Sequence, residues 1–362
     1  MLTCGLVGLP MTGKTTIFNL LTNSKQQTSA YFSGKTEAHR GIAVIPDPRV
    51  EFLSRLYRPQ RTIFAQLEVI DIAGLVKGAS EGMGVGNAFL NAVRPVDALL
   101  HIVRTFSSPE VPHPEGSIDP LRDIETINLE LWLADLEMIE KRIERIESGK
   151  KKTEQMKELA VLKKIQDWLQ EEKNVSSLEL TPEENSYIKA FSLLTSKPML
   201  LVVNMDDEQL RQGDYPGKKE VEEYAREKKM PLIEICAQTE LEINELEKEE
   251  QEAFLKELGI KEKGIDAVAR AMYQSLGLIS FFTVGEDEVR AWTIKKGTSA
   301  KTAAGKIHSD LERGFIRAEV VKYDHLKEWG SVQKVKEQGL FRLEGKDYLI
   351  EDGDIVTVRF HV

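Results

Sequence analysis

Gly8-Leu9-Pro10-Met11-Thr12-Gly13-Lys14-Thr15 is the stretch that decides the fold. It matches GxxxxGK[ST] in the confirming context: the apolar run Leu2–Val7 precedes it and a helically spaced segment, Lys14–Leu21, follows. Glycines let such a turn aim backbone N–H groups at phosphates, and the start of the helix adds a partial positive charge. Met11, Thr12, Gly13, Lys14, Thr15 and Thr16 are therefore the candidate phosphate-binding residues. Lys14 is expected to reach the β- and γ-phosphates, where it also serves catalysis, and Thr15 to offer its hydroxyl to Mg²⁺.

Working outward, Phe64–Ile70, Asp97–Val103, Met199–Val203 and Pro231–Ile235 read as further buried strands alternating with helical segments. That alternation predicts an α/β fold with a doubly wound, mostly parallel sheet, whose ligands sit at the carboxyl ends of the strands. Each of these ends carries a candidate motif. Asp71-Ile72-Ala73-Gly74 fits DxxG, with Asp71 suited to hold Mg²⁺ through water and the Gly74 N–H to meet the γ-phosphate. Gly74, Gly78, Gly82, Gly84 and Gly86 then suit a switch ordered by that phosphate. Asn204-Met205-Asp206-Asp207 stands where a GTPase carries its base-reading tetrad, and Cys236-Ala237-Gln238-Thr239-Glu240 where the second base loop would lie. Asn204, Met205, Asp207, Cys236 and Ala237 are thus the candidate base-binding residues.

Between the third and fourth strands, Ile124, Ile127 and Leu131, then Leu136, Ile139, Ile143 and Ile146, recur at spacings of three and four. Leu159, Leu162, Ile165 and Leu169 resume the stripe after Ser148-Gly149-Lys150-Lys151-Lys152. The pattern predicts an antiparallel helical hairpin with a basic tip, with Gly149 as the helix C-cap. From Leu278 onward, strands are expected at Phe281–Val284, Val289–Ile294, Tyr348–Ile350 and Ile355–Phe360, with a helix over Ala300–Arg313. The expected domains are 1–120 with 197–277 for the nucleotide, 121–196 for the hairpin insertion, and 278–362 for a small α+β unit.

Composition bounds the function. The chain has 362 residues, 41% hydrophobic and 30% charged, enough for two or three globular domains. Its net charge of -10 argues against a general polyanion binder. Residues 278–362 hold 14 Lys/Arg against 14 Asp/Glu, so a basic patch there would be local: Lys295, Lys296, Arg313, Arg317 and Lys322 are its candidates. No apolar run is long enough to cross a bilayer, and Met1–Gly8 lacks the basic start of a signal peptide. The two cysteines, Cys4 and Cys236, read as reduced thiols of a cytoplasmic protein.

The order of these motifs resembles the translation-factor-related P-loop GTPases, and the whole chain resembles the YchF / Obg-like ATPase family. The residues that carry this are Gly8–Thr16, Pro46–Arg49, Asp71–Gly86, Asp119–Asp135, Arg290–Thr293, Ala304–His308, Glu312–Glu319 and Glu344–Tyr348. The resemblance implies a coiled-coil hairpin, a C-terminal β-grasp (TGS) domain, Mg²⁺-dependent hydrolysis of ATP with GTP accepted poorly, and association of a monomer with the ribosome or its RNA. It implies a catalytic role for His113, in the loop Pro109–Pro114, because Leu75 stands where Ras-like enzymes place a water-orienting glutamine. It places Thr36 at the switch threonine that ligates Mg²⁺. Three positions depart from the family: Met11 replaces its asparagine, the first switch is shifted by one residue, and Asp207 replaces a glutamate. On the residues alone ATP and GTP stay balanced, since a carboxylate accepts from guanine while Met205 removes the usual lysine; the resemblance favours ATP. The alternatives are a GTP-specific enzyme, a nucleotide-gated ribosome or RNA binder with negligible hydrolysis, and a stress-linked interaction protein.

Overall fold

The computed structural model describes residues 1–24, 38–72, 89–90, 92–149, 155–257 and 262–361. Thr36, Gly74, Leu75, Gly78, Gly82, Gly84, Gly86 and the basic tip Lys150-Lys151-Lys152 lie outside them. Its strands in chain order are β1 (Thr3–Val7), β2 (His39–Val44), β3 (Arg61–Ile63), β4 (Gln66–Asp71), β5 (Ala98–Arg104), β6 (Met199–Asn204), β7 (Leu232–Ile235), β8 (Leu278–Val284), β9 (Glu288–Lys295), β10 (Phe315–Lys322), β11 (Arg342–Glu344) and β12 (Asp354–Phe360). They form two sheets, ordered β2-β4-β1-β5-β6-β7 and β11-β10-β12-β8-β9-β3.

The chain divides into two compact units. The larger comprises Leu2–Ile42 and Glu68–Val268. Here β1 pairs in parallel with β4 and β5, β5 with β6, and β6 with β7. All of β5 is buried, its polar His101 and Arg104 included, as expected when helices cover both faces of a parallel sheet. The strand order reverses beside β1, so the turn from Gly8 to Lys14 lies at the switch point where such sheets bind ligands. Val7, Ile70, Phe89, Leu99, Ile127 and Leu131 pack into one cluster of this core.

The expected hairpin is formed by helices Pro120–Glu147 and Met156–Gln170. Asp119 caps the first by accepting the Arg122 N–H. Ile139, Ile143 and Ile146 pack against Leu159, Leu162, Ile165 and Leu169. Arg142 closes the pair with a bidentate bond to Glu158, 2.7 and 2.9 Å. Fully buried Asp135 anchors the hairpin: it pairs with Arg94 and accepts the Leu194 and Thr195 N–H groups and the Thr195 hydroxyl. One detail is corrected. Ser148, in a right-handed conformation, is the C-cap rather than Gly149, because the bond from its N–H to Glu144 extends the last turn without a left-handed residue.

The smaller unit comprises Met1, Ala43–Leu67 and Ala269–Val362. This departs from the expected boundaries: residues 43–67 and 269–277 group with the C-terminal strands and not with the nucleotide site. The cause is pairing across a long sequence interval. β3 joins β9 in parallel, from Arg61 beside Glu288 to Ile63 beside Arg290. Arg49, at the start of helix Pro48–Tyr57, bonds Asp47 and Asp352, both at 2.8 Å, and stacks over Phe282 at 5.1 Å. Two further expectations change. Leu349 makes only an isolated bridge to Ser299, so Tyr348–Ile350 is not a strand. The helix over Ala300–Arg313 is two, Ala300–Ile307 and Ser309–Arg313. His308 is extended (φ -161°) between them, where its Nδ1 accepts the Asp310 N–H.

Candidate nucleotide-binding site

The turn after β1 has the backbone that a phosphate cradle needs. Gly8 and Gly13 have φ of 146° and 92°, where side chains are disfavoured. Space forbids side chains too: a Cβ on Gly8 would lie 2.4 Å from the Ile102 carbonyl, and one on Gly13 2.3 Å from the Asn204 amide nitrogen. Met11 itself has φ 62°, a left-handed conformation unusual for a residue with a Cβ. Lys14 opens helix Lys14–Thr22 and folds back over the turn, donating to the Leu9 and Gly8 carbonyls at 2.6 and 3.2 Å. Burial lowers its pKa to about 8, opposed by the Asp71 carboxylate.

The structure brings Asp71 to this turn, as its place at the end of β4 implies. The Thr15 hydroxyl donates to its Oδ2 at 2.7 Å. Burial raises the Asp71 pKa, against the pull of Thr15, Lys14 and His39. A buried carboxylate held beside a hydroxyl is a pair of hard oxygen donors, the type a Mg²⁺ ion takes in small number while keeping waters and phosphate oxygens.

The tetrad at the end of β6 also arrives. Asn204 is a strut: its amide donates to the Thr12 carbonyl at 3.0 Å while its oxygen accepts the Ala237 N–H at 3.1 Å. Asp207 is the first residue of helix Asp207–Gln212, and its Oδ1 accepts the Thr239 hydroxyl and, at 3.5 Å, the Cys236 thiol. Gly13, Thr16, Phe106, Asn204, Met205, Asp207, Cys236 and Ala237 line a cleft of about 300 Å³ directly beside the phosphate turn. Thr12 and Met205 are buried beneath it.

His113 is held elsewhere in the loop after β5. Its Nδ1 accepts the Glu115 N–H at 3.2 Å, so Nε2 carries the proton and donates to Asp123 at 3.0 Å. Burial lowers the His113 pKa. Burial likewise raises that of Asp123, opposed by two bonds from Arg122 to its Oδ1. Both ring nitrogens are therefore occupied, and no lone pair is left for a water. Gly74 and Thr36 cannot be placed, since they lie outside the described residues.

Sequence reasoning missed Arg104. This nearly buried side chain donates to the carbonyls of Met11 (3.3 Å), Phe106 (3.1 Å) and Val111 (2.7 Å) and stacks on the Phe106 ring at 4.3 Å. It ties the His113 loop to the phosphate turn. An arginine ending a run that is apolar but for His101, Ala98–Val103, was the available signal, because a buried guanidinium must find acceptors.

Comparison with known proteins identifies the family of the whole chain. A family described as 50S ribosome-binding GTPase matches residues 3–164, and the YchF-GTPase C-terminal family, described as a protein of unknown function, matches residues 278–361. A protein of Bacillus subtilis named ribosome-binding ATPase YchF is 46% identical over 366 residues, covering 100% of both chains. Its namesake from Escherichia coli O157:H7 is 41% identical over 99% of both. The solved structure of the Schizosaccharomyces pombe YchF GTPase aligns with a TM-score of 0.85 at 33% identity, covering 99% of this chain and 97% of that one. Similarity at this level, end to end, shows that the chain belongs to the YchF family.

Proposed function

We propose that this chain is a Mg²⁺-dependent nucleoside triphosphatase that hydrolyses ATP slowly and whose nucleotide state controls docking of the monomer on the ribosome or its RNA. The observation that carries the reading is the phosphate turn: a buried lysine folded over a positive-φ loop, with Thr15 and Asp71 2.7 Å apart beside it. Met11–Thr16 hold the phosphates. Asn204, Met205, Asp207, Cys236 and Ala237 form the base cleft, with Phe106 added to them. Thr15, Asp71 and Thr36 would hold Mg²⁺, which when bound would neutralise charge on the β- and γ-phosphates, and the Gly74 N–H would meet the γ-phosphate. The names of the relatives support ATP and the ribosome. No described helix is long and apolar enough to cross a membrane, which accords with a cytoplasmic place. The nucleotide domain, hairpin insertion and TGS domain remain the functional parts of this reading.

Hydrolysis is in-line attack of water, with Lys14 and backbone N–H groups stabilising developing charge. His113 orients that water only after it leaves Asp123 and Glu115, so intrinsic turnover is slow. The same latch favours a second reading, a nucleotide-gated binder with negligible hydrolysis. Phosphate release with and without ribosomes separates the two. His113→Ala should lower turnover with little change in nucleotide affinity, and full turnover in that variant would remove His113 from the mechanism. Turnover absent under both conditions would leave the binder.

A further inference from the structure

We infer that Thr239 and Cys236 are positioning residues that hold the Asp207 carboxylate against the wall of the base cleft, and that this withholding sets which purine the cleft takes. The inference rests on the nucleotide-site reading above. Guanine presents N1–H and N2–H₂, two adjacent donors that one carboxylate can accept together; adenine presents N1 as an acceptor and N6–H₂ as a donor. A carboxylate aimed at the base edge would therefore reward guanine and repel adenine N1. Asp207 is in the position to do this, since it lines the cleft with Asn204, Met205, Cys236 and Ala237.

Its bonds direct it elsewhere. Oδ1 accepts the hydroxyl of buried Thr239, in the first turn of helix Ala237–Glu245, and the thiol of Cys236, the N-cap residue of that helix. The backbone beneath Asp207 is fixed as well. Asp206 and Gln209 form a reciprocal capping box, so the first turn of helix Asp207–Gln212 cannot swing freely toward the cleft. Cys236 stays a donor at neutral pH, because burial keeps its thiol protonated. The tetrad thus retains an acidic residue one of whose two carboxylate oxygens, Oδ1, is engaged by the wall. Specificity is a difference between two affinities, and withdrawing one acceptor weakens guanine while it relieves the repulsion of adenine, so both changes shift the ratio toward adenine.

The test uses the full chain and equilibrium titration with slowly hydrolysed ATP, GTP and ITP analogues. In the unmodified protein GTP and ITP, which differ only in the N2 amino group, should bind within about twofold of each other. Thr239→Val keeps the side-chain shape and removes the donor; it should shift the GTP-to-ATP affinity ratio toward GTP by about tenfold, the value of one recovered charged hydrogen bond. Thr239→Ser should retain the unmodified ratio, and adding Asp207→Asn to Thr239→Val should cancel the shift. A purely structural Thr239 would weaken both nucleotides and leave their ratio alone. That result, or a Thr239→Ser ratio like that of Thr239→Val, or GTP binding more than about tenfold tighter than ITP in the unmodified chain, overturns the inference. The ITP comparison decides the matter without any variant, should Thr239→Val not fold. Absence of binding by all three analogues would instead strike the nucleotide-site reading itself.

Discussion

Lys14 gives the sharpest test, because one buried ammonium should make nucleotide affinity and folding stability respond to pH in opposite directions. Burial lowers its pKa from 10.5 to about 8 in the nucleotide-free chain. A bound triphosphate replaces the Gly8 and Leu9 carbonyls as the ammonium's partners and restores the charged form. The binding-competent fraction is then the protonated fraction, about 0.9 at pH 7 and about 0.1 at pH 9, so the apparent Kd should weaken about tenfold across that interval. Stability follows the other sign. Between pH 8 and 10.5 the unfolded chain holds a proton that the folded chain has released, so stability rises with pH through that window, by about 3 kcal/mol in full. The assay is titration with an ATP analogue at fixed free Mg²⁺ from pH 7 to pH 9, beside thermal melts of the free protein. Lys14→Met supplies the control: its weaker binding should lose the tenfold slope, leaving only titration of the nucleotide. A Kd that stays flat in the unmodified chain, or a slope that survives in Lys14→Met, refutes the argument.

Three more outcomes follow from the same geometry. Asn204→Ala strands the buried Thr12 carbonyl and Ala237 N–H, so it should cost about 2–4 kcal/mol of stability and weaken nucleotide binding; urea midpoints and titration measure the two effects. Gly8→Ala places a Cβ 2.4 Å from the Ile102 carbonyl at a φ of 146°, and should abolish nucleotide binding in the same titration, whereas Gly345→Ala, with nothing within 4 Å of its Cβ and no positive φ, should retain it. Arg49→Ala removes bonds to Asp47 and Asp352 and the stack on Phe282, and should destabilise the smaller unit by about 2–3 kcal/mol, read as a lowered melting transition, with nucleotide affinity intact.

What could be read directly was what is local. The phosphate turn, the five strands β1, β4, β5, β6 and β7, and the hairpin stripe each depend on residues within a few turns of one another, and each is where its pattern puts it. What could not be read depends on distant partners. Residues 43–67 carry no mark that Arg61–Ile63 will pair with Glu288–Arg290, or that Arg49 will bond Asp352 across 303 positions. Short strands such as β3 and β11 have three residues each, too few for a period to show. His113 illustrates a different limit: its motif was visible, but its engagement by Asp123 arises from how the helix at Pro120 approaches the loop.

The polar groups of the site hold the phosphate turn in its shape. A left-handed Met11 and a desolvated Lys14 each cost free energy, of the order of 1–3 kcal/mol apiece. Met11 is held by an Arg104 bond that a triphosphate would not need to break. Arg104 fixes the Met11 carbonyl from below, Asn204 fixes that of Thr12 from the side, and neither side chain faces the phosphate cradle with a free acceptor that would repel an anion. Only the two Lys14 bonds, to Gly8 and Leu9, must be exchanged for phosphate oxygens. Binding therefore spends little on ordering this turn, and the strain stored there is returned as affinity when the ammonium regains a charged partner. Arg104 has a second consequence. By also holding Val111, two residues before His113, it bonds the phosphate turn and the latched loop to a single buried side chain.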